Sequence, residues 1–226
     1  IRPLRAMAID KSVVNSKLEL FEPPTAYQAA YQQPTGSRFG ADAMFNGDNR
    51  GYGATLSYFI KVDEKKKEED KDANKSDEDD DTDQDSVSEE KGDKNVVKWD
   101  SITMQFYDGD RLIRTLKRKT PKESGVHKWT WYMNEAGVSR PSRSIRESKN
   151  EPSGVSVKPG RYKVVMNYGD QTSEKLITVK SDPRIKVSQK NIDEIYNVGK
   201  QLEVMQQEIA DAVKQLVESK NVAKKY

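Results

Sequence analysis

Between Ser101 and Lys180 the chain alternates apolar and polar residues in short stretches, each closed by turn-forming residues. Ile102, Met104 and Phe106 alternate with Thr103, Gln105 and Tyr107. Asp108-Gly109 follows, and both residues tolerate the positive φ that tight hairpins need. The chain returns with Leu112 and Arg114 on one face and Ile113 and Thr115 on the other. Gly125 leads into Val126–Tyr132, and Pro159-Gly160 sets up Tyr162, Val164, Met166 and Tyr168 on one face of the next stretch. Gly169-Asp170 turns it into Glu174–Lys180, where Leu176 and Thr178 oppose Ile177 and Val179. Five short strands at roughly 8–12 residue spacing predict a β-sandwich. Phe106, Trp129, Trp131, Tyr162 and Val164 are its expected core.

One strand lies earlier. After Gly51-Tyr52-Gly53, the residues Leu56, Tyr58 and Ile60 recur at period two. The Ser101 strand does not follow directly. The residues from Asp63 to Val97 hold 16 Asp and Glu against 7 Lys and Arg, a net of −9. The other residues then carry 21 acidic and 32 basic side chains, a net of +11, although the whole chain is at +2. With almost no apolar side chains, residues 63–94 cannot offset their ordering entropy, so a disordered acidic insertion is expected there. Asp79, Asp81 and Asp83 have the alternating spacing of calcium ligands. The glycine and the twelfth-position glutamate of a calcium loop are missing, which makes them weak metal candidates.

Ahead of the sandwich, Pro3 and Pro23-Pro24 interrupt the chain, and Leu18-Glu19-Leu20 alternates like one short strand. Residues 1–26 therefore read as an extended linker and residues 27–182 as the sandwich. Residues 183–226 read as a long C-terminal α-helix. Ser188 is its candidate N-cap, with Asp193 and Glu194 near the start. Along it Ile195, Val198, Leu202, Met205, Ile209, Ala212 and Leu216 recur at gaps of 3 and 4, a seam of three heptads. One helix cannot cover its own stripe, so a partner is expected, such as the second arm of a helical hairpin.

Two alternatives stand for the tryptophans. Trp129 and Trp131 share a strand face and serve either as core or as a sugar-stacking platform. Tyr132 points the other way and, with Trp99, is the candidate exposed aromatic for ligand binding. Arg140, Arg143 and Arg146 lie within seven residues, as an anion grip or as a mobile cationic loop. His127 is the single histidine and shares the tryptophan face, where a packing role is expected.

Several classes are set aside. The absence of cysteine removes disulfides, thiolate metal sites and a cysteine nucleophile. Basic residues are scattered and no nucleic-acid motif accompanies them, so no nucleic-acid partner is expected. No apolar run reaches the roughly 20 residues of a membrane span. The carboxylates concentrate in the acidic insertion, where nothing holds a pair at glycosidase separation. No cofactor and no catalysis are expected of this segment.

Some of these stretches also resemble a known family. Asp108-Gly109-Asp110-Arg111-Leu112-Ile113-Arg114-Thr115-Leu116, Gly125 through Trp131, and Val157 through Tyr162 are similar to bacterial Ig-like or fibronectin-type sandwiches. With Gly51–Lys61, Lys180–Arg184 and Ile1–Arg5 added, the order resembles the C-terminal region of bacterial sortilin-like, glycosyl-hydrolase-type proteins with neuraminidase-type repeats. Tyr132 and His127 depart from it, standing where Asp and Asn are usual. The resemblance implies a preceding β-propeller, absent from this sequence, and an extracytoplasmic bacterial location. It also implies that any hydrolase chemistry belongs to that propeller, with no site residue carried over. The expected role is an accessory module contacting the propeller or another protein. A carbohydrate-binding module is the alternative.

Overall fold

The computed structural model describes residues 2–30, 51–62, 101–144 and 151–224. The insertion expected at 63–94, with Asp79, Asp81 and Asp83, lies outside them, as do Trp99 and Arg146. Among the described residues the protein is mostly strands in sheets, followed by a long C-terminal helix.

The chain begins with α1 (Arg2–Ile9) and α2 (Ser12–Asn15), then β1 (Leu18–Leu20) and β2 (Ala26–Gln28). The extended linker expected for 1–26 is thus corrected. Pro3 sits in the first turn of α1, where a proline nitrogen gives up no helical hydrogen bond, and strong helix formers follow it. Leu18, Leu20 and Ala26 are buried in the core, because β1 pairs antiparallel with β3 (Ala54–Ile60) and β2 pairs with the last strand.

The strands β4 (Ser101–Asp108) and β5 (Arg111–Lys119) form the expected hairpin, and β6 (Gly125–Trp131) follows. The two-residue loop is Gly109–Asp110, one position later than the Asp108-Gly109 signal suggests. Gly109 takes φ 60°, at the first central position, as in type II′ turns. The short strands β7 (Asn134–Ala136) and β8 (Ser153–Ser156) pair with each other. Then β9 (Gly160–Tyr168) and β10 (Gln171–Ser181) form a second long hairpin, and α3 (Gln189–Ala223) ends the fold.

One sheet has the order β1-β3-β6 and the other β2-β10-β9-β4-β5. Side chains from both sheets join one hydrophobic core. Alternation places Ile102, Met104 and Phe106 of β4 and Tyr162, Val164 and Met166 of β9 inward, with Met104 opposite Met166 and Phe106 opposite Val164. Ile177 and Val179 face the core and Leu176 faces out. Phe106 stacks on Trp131, centroids 4.2 Å apart and planes 20° off parallel, with the Tyr162 ring edge-on to Trp131 at 5.7 Å. Offset stacked and T-shaped pairs are the favoured aromatic geometries.

Strict alternation fails on β3, where Tyr58, Phe59 and Ile60 are all buried, and on β5. The pairing register shifts at Phe106/Tyr107, so Ile113 and Arg114 are both buried although adjacent. A bulge adds one residue to a strand and re-aims the side chains beside it. Arg114, expected on the same face as Leu112, is turned inward by it.

The polar clamp and the exposed seam of the C-terminal helix

The bulge creates the first half of the site. Arg114 donates from Nη1 to the carbonyls of Glu135 (2.8 Å) and Pro152, and from Nη2 to that of Glu151 (2.9 Å). The Glu151 carboxylate accepts from Thr115 N at 2.8 Å. A buried guanidinium bonded to three carbonyls fastens the β7–β8 ribbon to β5. Its surroundings lower its pKa, chiefly because burial disfavours the charged form.

The ribbon in turn presents Glu135, a residue only 4% exposed. Arg111 grips it with two bonds, Nη2 to Oε1 at 2.8 Å and Nη1 to Oε2 at 3.2 Å. Two further donors come from α3: Tyr196 Oη to Oε1 at 2.7 Å and Lys200 Nζ to Oε2 at 2.9 Å. Burial by itself would push the Glu135 carboxyl up, but these donors outweigh it and hold the pKa at about 2. Burial and the Glu135 bond push the Tyr196 hydroxyl up, so it remains a donor.

The clamp continues along the helix. Glu203 accepts from Lys200 at 2.8 Å and from Val155 N at 2.8 Å. Ser139 bonds both Gln207 and Gln206 through its backbone. Lys158 pairs with Asp193 at 3.2 Å and lies 5.1 Å from the Tyr196 ring centroid. Gly199 faces Val155, where an added Cβ would stand 2.6 Å from Val155 Cγ1. Ser188 caps the helix as expected, accepting from Asn191 N at 3.2 Å. The docked face of α3 is therefore polar and small, with Ala210 its single buried residue among those described.

The expected heptad seam lies elsewhere. Ile195, Val198, Leu202, Met205, Ile209 and Leu216 are 53–71% exposed, and Ala212 is exposed too. At 100° per residue the seam sits about 130° around the helix from the docked face. None of the described residues covers this apolar stripe.

The remaining candidates separate cleanly. Trp131 is fully buried and donates Nε1 to Asn134 O at 3.0 Å, so it is core and not a platform. Trp129 is half-buried beneath the Arg118 guanidinium, 5.4 Å from its ring centroid. Tyr132 is exposed as expected. His127 packs 5.7 Å from the Tyr58 ring and bonds Glu123 O at 2.9 Å. Arg140 and Arg143 are exposed. No group of three or more potential metal ligands occurs among the described residues. A cleft of about 320 Å³ between α1 and strands β3 and β6 has Glu22 as the sole carboxylate in its lining, so it presents no paired acid.

Reading along the sequence missed Glu135, Arg111, Arg114, Tyr196, Lys200 and Glu203. Tyr196, Gly199, Glu203 and Gln206 recur at gaps of 3, 4 and 3, a second helical stripe that was legible. The polarity of these side chains hid it, since periodicity is sought in apolar residues.

Comparison with family models, curated proteins and solved structures found no match.

Proposed function

We propose that this chain is a non-catalytic accessory module, an Ig-like sandwich carrying a helical arm, that mediates interdomain or protein–protein contacts. The exposed three-heptad seam on α3 carries this reading. The clamp around Glu135 fixes the helix to the body, so the stripe is presented in a set direction. Contiguous exposed apolar surface of this kind marks interaction sites. The sortilin-like resemblance supplies the setting: a larger bacterial protein outside the cytoplasm, with a propeller as one neighbour. Photo-crosslinking from position 205 in the full-length protein tests it. Adducts concentrated on one surface, and lost in Leu202→Gln, are expected. Adducts scattered at random would sink the proposal.

A second reading, glycan binding, is favoured by one observation. Tyr132 is 60% exposed, and Gly53 lies close to its ring, preceded by the exposed Tyr52. Two aromatics at one end of a sheet suit sugar stacking. Affinity electrophoresis against a polysaccharide panel should then show retardation that Tyr132→Ala removes. Unretarded migration on every polysaccharide excludes this reading.

A further inference from the structure

We infer that the α3 seam is covered by the same seam of a second copy of this chain, with the two helices antiparallel. This rests on the accessory-module reading and names the partner it leaves open.

The 3–4 spacing selects a helix as partner, because seam residues at those gaps form holes that receive the knobs of a second helix. The seam has two rows of unlike size. Ile195, Leu202, Ile209 and Leu216 recur every seventh residue in one, and Val198, Met205 and Ala212 in the other. Two parallel copies would set each residue against its own twin, and the layer of two alanines at Ala212 would be underfilled. Turning one copy round sets the first row against the second. Ile195 then faces the second copy's Ala212, Ile209 its Val198 and Leu202 its Met205. The most unequal pair falls at the ends, the even pair falls at the centre, and no layer holds two small residues. Alternating large and small side chains across facing positions fills an interface without voids.

The flank fixes the register. Glu194, Gln201, Glu208 and Gln215 line the side of the seam turned away from the docked face, and all four are exposed. Lys190 lies on that side too, with a long 3.8 Å contact to Glu194. In the pairing above, Gln201 faces the second copy's Glu208 and Glu194 faces its Gln215. Each is an amide beside a carboxylate, and no like charges meet. Sliding one helix by a heptad toward Leu216 keeps the number of apolar layers but sets Glu208 against its own twin, which repels. Sliding it the other way sets Ile209 against Asn191 and loses layers.

The second copy has room. The docked face lies about 130° from the seam, so the described body stands behind its own helix as seen from the partner. Ile195, Val198, Leu202, Met205 and Ile209 are 53–71% exposed. With Ala212 they offer roughly 600 Å² per partner, near the ~800 Å² of a standard specific interface, and the flanking Gln and Glu stems add to it.

Sedimentation equilibrium of the intact chain at about 100 µM is expected to give a dimer. Leu202→Gln with Met205→Gln should give a monomer that circular dichroism shows folded, because both side chains are exposed. The chain has no cysteine, so introduced thiols report the pairing directly. A mixture of Ile195→Cys and Ala212→Cys, treated with a short thiol-to-thiol crosslinker, should give far more covalent dimer than either variant alone. Gln201→Lys should tighten the dimer and Gln201→Glu loosen it. Their dissociation constants should stand about tenfold apart, since a two-fold pair makes each exposed contact twice. A monomer at that concentration overturns the inference. So does a crosslinked yield from Ala212→Cys alone that matches the mixture, the mark of a parallel pair, and so do equal constants for the two Gln201 variants. Crosslinks from position 205 that map only to another domain or another protein overturn the second copy and leave the accessory module standing. Adducts scattered at random overturn both.

Discussion

Tyr196 of the C-terminal helix donates its hydroxyl to Glu135 of the β7–β8 ribbon at 2.7 Å, across 61 residues of sequence. Lys200, one turn later, reaches the other oxygen of the same carboxylate. This one buried group decides how the helix sits on the sheets. The orientation of the exposed seam follows from it.

Glu135→Gln keeps the shape and removes the charge. Arg111 and Lys200 are then left facing a neutral amide, and the amide's NH2 opposes their own donors. A loss of about 2 kcal/mol is expected, the range for hydrogen bonds to a charged group. Urea unfolding measures the loss. Hydrogen exchange should show the α3 amides opening sooner while the β9 and β10 amides hold.

The same carboxylate sets an acid limit. Its pKa falls from the ordinary 4.5 to about 2 on folding, so its contribution is complete above pH 4.5. It is lost as pH drops through about 2, because the unfolded chain takes up the proton first. Wild-type stability should therefore fall more steeply than that of Glu135→Gln between pH 4.5 and 2. Parallel curves in acid titrations would contradict the clamp.

Gly154→Ala tests the close approach of ribbon and helix. A Cβ there would stand 2.7 Å from Ala136 O, 2.8 Å from Gly137 Cα and 2.6 Å from Glu203 Oε1. Two of these atoms are backbone, so the ribbon must part, at a cost of about 2 kcal/mol. Gly51→Ala, with nothing within 4 Å, is the control and should shift stability by less than about 0.5 kcal/mol.

Trp131→Ala and Trp129→Ala should differ sharply though the residues share a face. Trp131 fills the core against Phe106 and Tyr162, and its loss should cost about 4 kcal/mol. Trp129 rests at the edge under Arg118, and about 1 kcal/mol is expected. Denaturant midpoints of the two variants make the comparison.

Tyr58→Phe should raise stability by about 1 kcal/mol. Tyr58 is fully buried, and its hydroxyl has no hydrogen-bond partner among the described residues. Burial also pushes that hydroxyl's pKa up. Removing an unsatisfied buried hydroxyl removes its desolvation cost and leaves the ring in place. A thermal melt that falls would show that the hydroxyl has a partner.

The strands were legible because alternation is local. Ile102, Met104 and Phe106, or Tyr162, Val164 and Met166, announce a face by their own spacing. The helix and its Ser188 cap were legible for the same reason. The N-terminal helix was misread, because Pro3 looks like a break unless it falls in a first turn. The inward turn of Arg114 was not legible, since the bulge depends on how β5 meets β4. Glu135 carried no signal at all: nothing near it in sequence tells that Arg111, Tyr196 and Lys200 converge there.

By itself, then, the sequence determined the alternation that makes two sheets, the turns at Gly109 and Gly169, and a helix with an apolar seam. Those properties depend on residues within a few positions of one another. Only the tertiary structure decided which helix face meets the body. A polar stripe docked and the apolar one stayed out, because one buried carboxylate found its cations on strand and helix at once.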